Sequence, residues 1–363
     1  MVIEVKIDEI TKKVLSKTLS LGLEVNKTGS LIVNESMAFH VLSEALKEYG
    51  IIYVSIKEAF DRYPDIIEKY GLKMVRVDPR NIDDGVLLYI PRNTKVLEPI
   101  YTCFALARRG VVQRIYNLYV VEDYSEAVAA KGCLTIVPEG AHSGITEIYV
   151  GRHAKLSSIM IHNWMPEVRV SALARARLLE EAVYYDYYVN LTHVKRIGSL
   201  TEIYLEGNSA RAQADMILIG RGRSTISHNV MAYLNAPKTS VELISRMLGD
   251  GESRVESTTR IIANAPNTRG HIECQGLQLS NSAVLTTKPV LESHIDETSL
   301  THEASIGKIS EEELEYLMAK GFREEEAISL IVRGFLELGF QRVPDKLKPV
   351  IERVLDMLSQ ARM

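Results

Sequence analysis

Cys274, His302 and Glu303 lie toward the end of the 363-residue chain, and their side chains are of types that bind sulfur or metals. A thiolate is the form of cysteine that reacts with sulfur and ligates iron, and an imidazole ligates many transition metals. Cys274 closes the segment GHIEC, and His302 opens the segment HEASIGKI, after which the alternating pattern stops. Cys274 and His302 are therefore candidates to hold sulfur or a metal, and we expect Cys274, as a ligand, to lie at an exposed, polar position.

Glu303 follows His302 directly, and this spacing limits what the pair can do. Successive side chains of a strand point to opposite faces, so both residues bind one cluster only where the backbone bends. Glu303 is therefore a candidate third ligand, and a solvated surface carboxylate is the alternative.

Two further cysteines, Cys103 and Cys133, adjoin apolar runs, which predicts buried structural thiols. No CxxC pair occurs, which argues against a structural zinc finger. Three cysteines do not complete a four-thiolate site in one chain, so ligands from a second chain or a small molecule would be required. Two copies of Cys274 and His302 would together supply two thiolates and two imidazoles.

Composition excludes several other classes of protein. The net charge of -4 leaves no global basic footprint, so we expect no nucleic-acid partner. No stretch approaches the roughly 18 apolar residues of a membrane span, and the N-terminus lacks the pattern of a secretory signal. Sparse, unpaired cysteines suit a reducing compartment. We therefore expect a cytoplasmic protein with no membrane partner.

The spacing of apolar residues predicts three regions: 1–80, 81–309 and 310–363. In the first region, helical spacing predicts helices around 10–19 and 37–49, and a third over 56–70 that is broken at Pro64. From residue 86, short β-branched and aromatic runs predict strands. Turn residues recur between 207 and 296 at gaps of 13 to 18 residues, which is compatible with a sandwich, a barrel or a β-solenoid.

The third region is helical and begins with a capping box. Ser310 can accept a hydrogen bond from the amide of Glu313, and Gly321 is the expected stop of this first helix. We predict that apolar side chains on the first two helices, where they do not pack on the β core, present a face to another protein. The predicted partner-binding residues are Leu314, Leu317, Met318, Ile328, Ile331 and Phe335.

The run from Asn267 to Phe340 resembles the C-terminal core of the SufB/SufD family, the scaffold proteins of iron–sulfur cluster assembly. It contains the histidine motif, then the segment EEELEYLM with its acidic cap, then Gly321 and a second helix. The earlier segments VPEG, at 137–140, and HNWMP, at 162–166, resemble family elements and occur in the same order. The resemblance covers roughly residues 86–340, and the N-terminal helices match poorly.

This resemblance implies a mainly β fold, a right-handed parallel β-helix core with helical segments at both ends. It implies a non-enzymatic scaffold that holds a transient iron–sulfur cluster, or sulfur, at a dimer interface formed with itself or with a SufB/SufD paralogue. The C-terminal helices would bind a SufC-like ABC ATPase. The turn at 220–223 lacks the glycine and lysine pattern of a nucleotide loop, so we expect no ATP hydrolysis by the chain itself.

Two alternatives remain open. Cys274 and Glu303 resemble SufB-type chains, whereas Thr287-Lys288-Pro289 resembles SufD, and Ala141 stands where many SufB chains have cysteine. A SufD-like structural adaptor without its own cluster is therefore one alternative. A β-solenoid transferase that uses Cys274, with His302 as its base, is the other.

Overall fold

Strands dominate the chain, and helices lie toward both ends, so the predicted mainly β fold is confirmed. The computed structural model describes residues 8–42, 44–337, 343 and 345–360. The strands are β1 (Gly29–Val33), β2 (Ser36–Val41), β3 (Ile52–Ser55), β4 (Val86–Ile90), β5 (Lys95–Leu106), β6 (Val112–Val121), β7 (Glu126–Thr135), β8 (Glu139–Val150), β9 (Lys155–Asn163), β10 (Glu167–Leu178), β11 (Val183–Asn190), β12 (Arg196–Leu205), β13 (Arg211–Gly220), β14 (Thr225–Leu234), β15 (Ser240–Gly249), β16 (Arg254–Ala263), β17 (Thr268–Gln278), β18 (Val284–Ser293) and β19 (Thr298–Lys308). The helices are α1 (Glu9–Ser20), α2 (Glu44–Glu48), α3 (Ile56–Arg62), α4 (Pro64–Tyr70), α5 (Glu311–Ala319), α6 (Glu324–Glu337) and α7 (Lys348–Gln360).

From β4 onward, consecutive strands alternate between two parallel sheets. The first sheet has the order β19-β17-β15-β13-β11-β9-β7-β5-β1-β2, and the second has the order β18-β16-β14-β12-β10-β8-β6-β4-β3. Each pair of consecutive strands completes one coil, so the chain winds into a β-solenoid of about 8 turns. The predicted β-helix core is thereby confirmed.

Alternation of side chains explains why these segments wind in this way. In β14, buried and half-exposed residues alternate along the strand, as expected when one face is inside. The inward residues of both sheets meet in the space that we call the lumen. In seven of the coils, one corner carries a non-glycine residue in the left-handed region, a conformation that is uncommon outside turns. These residues are Asn93, Tyr124, His153, Glu181, Ser209, Lys238 and Asn267.

The N-terminal region corrects one prediction. Residues 1–80 were expected to be helical, and α1, α3 and α4 agree, with the break at Pro64. However, β1 to β3 also lie there, and Val41 ends β2 instead of belonging to a helix. β1 joins the first sheet beside β5, and β2 and β3 add antiparallel edges. These short segments form strands because they pair with the solenoid, although the local spacing of their apolar residues favours a helix.

Helices cover the outer face of the first sheet. Val14 of α1, Leu336 of α6 and Val354 of α7 belong to one buried cluster with Ile217 and other outward side chains of that sheet. The predicted cap of α5 is confirmed, because Ser310 Oγ accepts from the amide of Glu313 at 3.3 Å. In the part of the chain that the structure describes, no helix has the length and apolarity to cross a membrane.

The close approach of coils at corners gives a stability prediction. A Cβ on Gly207 would lie 1.9 Å from the backbone nitrogen of Glu180, whereas a Cβ on Gly198 would have no neighbour within 4 Å. We expect Gly207→Ala to lower the free energy of unfolding by about 2–3 kcal/mol, because neighbouring backbone must move. Gly198→Ala, the matched control, is expected to leave it nearly unchanged in a urea titration. Equal midpoints for the two variants would contradict this packing.

Candidate functional site

The last two strands of the first sheet carry the residues singled out by the sequence. β17 and β19 pair in parallel, with Cys274 opposite Ala304 and Ile272 opposite His302. Ile272 and Cys274 both belong to the lumen core. Because register partners on neighbouring strands share a face, His302 and Cys274 lie on the same lumen-facing side, offset by two residues. The structure thus places the thiol and the imidazole on the same face of the sheet.

Cys274 itself is fully buried, so the expectation of an exposed thiol is wrong. Its Sγ lies 3.5 Å from Thr259 Oγ1, across the lumen on β16. The last coil stacks on the coil that contains Cys274 and covers it, and this stacking follows from the register of the final strands. Only Ala304, a small residue, stands directly next to Cys274 on the β19 side.

His302, by contrast, is exposed, because its strand is the last of the solenoid. β18 and β19 each end their sheet, and no described residue pairs with their outer edges. We call this end, formed by β18 and β19, the open end. Its lumen face is apolar around the imidazole, since Leu291 and Leu300 are only partly buried and Ile306 is 43% exposed. At the other end, the antiparallel strands β2 and β3 close the sheets.

Glu303 lies on the opposite face from His302. It stands opposite Glu273, whose carboxylate is 3.0 Å from the guanidinium of Arg246 on the outside of the solenoid. The pairing of β17 with β19 has no register shift, so the backbone does not bend to bring Glu303 back. Within one chain, Glu303 therefore does not join His302 and Cys274.

One copy of the chain does not make a complete metal site. Among the described residues, no three His, Cys, Asp or Glu side chains are placed to hold a metal ion. Cys274 and His302 are two donors, and further ligands would have to come from outside this chain. The open end is where such ligands can approach.

The lumen also holds a polar cluster that sequence reasoning missed. His142, His162 and His228 are buried there with Lys131, and the half-buried Asp186 lines the same space. Burial lowers the pKa of His142 and of His228 to about 4, so both imidazoles are neutral at pH 7. Each of the three histidines lies at an inward-facing position of its strand. Once the strands are assigned, the alternation of side chains along them would have predicted this orientation.

The predicted burial of the other two cysteines is confirmed. Cys103 packs on the outer face of the first sheet, where its Sγ is 3.2 Å from Thr18 Oγ1 of α1. Cys133 lies in the lumen beside the histidines. Trp164 makes an edge contact with His162 at 5.5 Å between ring centroids, and packing is the role expected of it.

The predicted partner-binding residues are unequally exposed. Met318 is 44% exposed, and Leu314, Leu317 and Ile331 are partly exposed. Ile328 and Phe335 instead pack against the buried cluster on the outer face of the first sheet. The exposed apolar side chains on and between α5 and α6 are Tyr316, Met318, Phe322 and Leu330. We call these four residues the helical apolar patch.

The strands and helices that carry these residues lie in a region that is similar to known proteins. Residues 104–335 match the family model described as SUF system FeS cluster assembly, SufBD core domain. An iron–sulfur cluster assembly SufBD family protein of Archaeoglobus fulgidus is 31% identical over 94% of this chain and 93% of its own length. One from Methanothermobacter thermautotrophicus is 33% identical over 96% of this chain and 88% of its own. The iron–sulfur cluster assembly protein SufB of Bacillus subtilis is 26% identical over 85% and 69%.

Proposed function

The chain belongs to the SufBD family of iron–sulfur cluster assembly proteins, and from this premise we propose that it is a scaffold subunit that holds a nascent cluster, or sulfur, at its open end. The observation that carries the proposal is the position of His302. Its imidazole is exposed on the lumen face of the last strand, beside the coil that contains Cys274. The cluster is cargo that the scaffold passes on, and the chain itself needs no catalytic activity.

A second copy would complete the site. An imidazole exposed among partly buried apolar side chains is a poor surface for a monomer but a suitable one for an interface. Two open ends that face each other would contribute two imidazoles and two nearby thiolates, enough donors for a small cluster. A SufB/SufD paralogue in place of the second copy would serve equally.

One observation favours the alternative of a SufD-like adaptor without its own cluster. Cys274 is fully buried, and a hydroxyl is its only hydrogen-bonding neighbour among the described residues. The same burial weakens the transferase alternative, because a nucleophilic thiol must reach its substrate. Anaerobic reconstitution with iron and sulfide separates scaffold from adaptor. Visible absorption of a bound cluster supports the scaffold, and its absence from the chain alone and from every candidate pair leaves the adaptor.

We further propose that a SufC-like ABC ATPase binds the C-terminal helices and drives the scaffold. The turn at 220–223 has no phosphate-binding pattern, so the nucleotide would have to be bound by a partner. The helical apolar patch supplies a surface for such a partner, since its four side chains are exposed while α6 buries Val332 and Leu336 against the first sheet.

Self-association through the open end gives a testable prediction. Unpaired strand edges and exposed apolar side chains favour pairing between copies. We expect a dimer through the segment from Val284 to His302 and the adjoining part of β19. Ile306→Asp, at a 43% exposed lumen-facing position, is expected to shift sedimentation to the monomer. Val112→Asp, at a 46% exposed position on β6, is the matched control and is expected to remain dimeric. A wild-type chain that stays monomeric alone and with candidate paralogues would contradict the prediction.

A further inference from the structure

Three soft or borderline donors converge in the lumen, away from the open end. Cys133 on β7 has its Sγ 3.8 Å from Nε2 of His142 on β8. The same sulfur lies 3.8 Å from the thioether sulfur of Met160 on β9. Cys133 and Met160 point inward from the first sheet, and His142 faces them from the second. Nothing in the proposed function uses this group, which we call the lumen triad.

The hydrogen bonds of His142 fix its tautomer. The side-chain amide of Gln113 donates to the backbone carbonyl of Asn34, so its oxygen must be turned toward the imidazole. That oxygen lies 2.7 Å from His142 Nδ1, which must therefore carry the proton. Nε2 is left with a free lone pair directed at Cys133. Ligating histidines in metal sites are held in this way, by an acceptor on the other ring nitrogen.

The space beside the triad is open. A small cavity of about 70 Å³ is lined by the triad residues, by Gly144 and by His228. A Cβ on Gly144 would lie 3.1 Å from His142 Nε2, so the glycine leaves room where an ion would contact that nitrogen. His228, 3% exposed, has an Nδ1 without a hydrogen-bond partner. A buried polar atom of this kind calls for an occupant of the cavity.

We propose that the lumen triad binds a soft monovalent cation, Cu(I), through Cys133 Sγ, His142 Nε2 and Met160 Sδ. Ligands at bond lengths of about 2.0–2.3 Å around one ion lie roughly 3.5–4 Å from each other, which matches both distances from Cys133. A thiolate and a thioether together select Cu(I) over harder ions.

Charge balance favours a single positive charge. On binding, the Cys133 S–H bond breaks, a sulfur–copper bond forms and the proton leaves to solvent. The resulting thiolate and Cu(I) unit is neutral, so the lumen gains no net charge. A divalent ion would leave one uncompensated charge in the buried lumen, which is costly. The other charged groups in the cavity wall, Lys131 and Asp186, are of opposite sign and attract each other.

The test is an anaerobic competition of the full chain against bicinchoninate for Cu(I), followed by X-ray absorption of the bound copper. We expect one Cu(I) per chain with sulfur and nitrogen neighbours. Cys133→Ala is expected to abolish this binding. Met160→Leu, which removes the sulfur but keeps a side chain of similar volume, is expected to weaken it. Gln113→Leu, which frees the imidazole to turn, is expected to weaken it by about 10- to 100-fold.

Matched controls separate the triad from other buried sulfur. Cys103→Ala removes a thiol that contacts Thr18 and neither histidine nor methionine, and Met247→Leu removes a buried methionine elsewhere in the lumen. Both are expected to bind Cu(I) as the wild type does, as is Cys274→Ala. Wild-type copper affinity in both Cys133→Ala and Met160→Leu would overturn the proposal. Zinc bound at the same stoichiometry and insensitive to Met160→Leu would overturn the preference for a soft ion.

Discussion

Replacing Phe322 and Leu330 together with aspartate is expected to abolish co-purification of the chain with a SufC-like ATPase. The two side chains are 43% and 46% exposed in the helical apolar patch, so they contribute little to the fold of the chain itself. In a complex they would be buried, and an unpaired carboxylate in an apolar interface is strongly unfavourable. Affinity capture of the tagged chain with the ATPase, at equal helical and strand content by circular dichroism, measures the effect.

The choice of residues matters for this experiment. Phe322 and Leu330 are chosen from the structure. Ile328 and Phe335, which the sequence indicates instead, pack on the chain's own sheet, and Phe335 lies against the guanidinium of Arg246 at 5.9 Å. Charged variants there are expected to disturb α6, so loss of binding would not report on the partner. Leu97→Asp, at a 46% exposed position on β5, is the matched control. Full capture by the folded double variant would contradict a partner site on the patch.

The regular part of the fold was predictable because its pattern repeats. One coil is 29 residues long where Arg211 pairs with Ser240, so turns spaced by 13 to 18 residues mark half-coils. The capping box at Ser310 is a local signal, and it predicted the start of α5 correctly. β1 to β3 were missed because they are short and depend on pairing with strands far along the chain.

The residue types of the candidate site were predictable from the sequence, but the burial of Cys274 was not. The alternating pattern predicts that Cys274 and His302 each lie on a strand. Only the register between β17 and β19 shows that the two side chains share the lumen face. Burial of Cys274 depends on a whole coil that stacks after it, and no local pattern reveals that. The lumen histidines were not recognised as a cluster because His142, His162 and His228 lie on separate strands, and only the stacking of coils brings them together.

His302→Ala is expected to abolish or strongly reduce cluster retention and to leave stability unchanged. The imidazole is exposed and lies on the last strand, so its removal affects the open end alone. Cys274→Ala is expected to reduce cluster formation in the same direction. Its burial adds a second effect, a loss of about 1 kcal/mol in the free energy of unfolding, because a small cavity remains beside Thr259. Anaerobic reconstitution and urea unfolding of each variant measure the two effects separately.

The pair of variants distinguishes scaffold from adaptor more sharply than either alone. If cluster binding falls for both, the ligands are at the open end, and Cys274 must become accessible when the last coil moves or a partner binds. Cluster binding could instead fall only for Cys274→Ala, by an amount that matches the loss in its free energy of unfolding. In that case the thiol is a core residue, and the adaptor role is favoured. Cys103→Ala removes a buried thiol on the outer face of the solenoid and is the matched control for stability loss without loss of cluster. Wild-type iron and sulfide content with the same absorption spectrum in both His302→Ala and Cys274→Ala would remove the open end from cluster assembly.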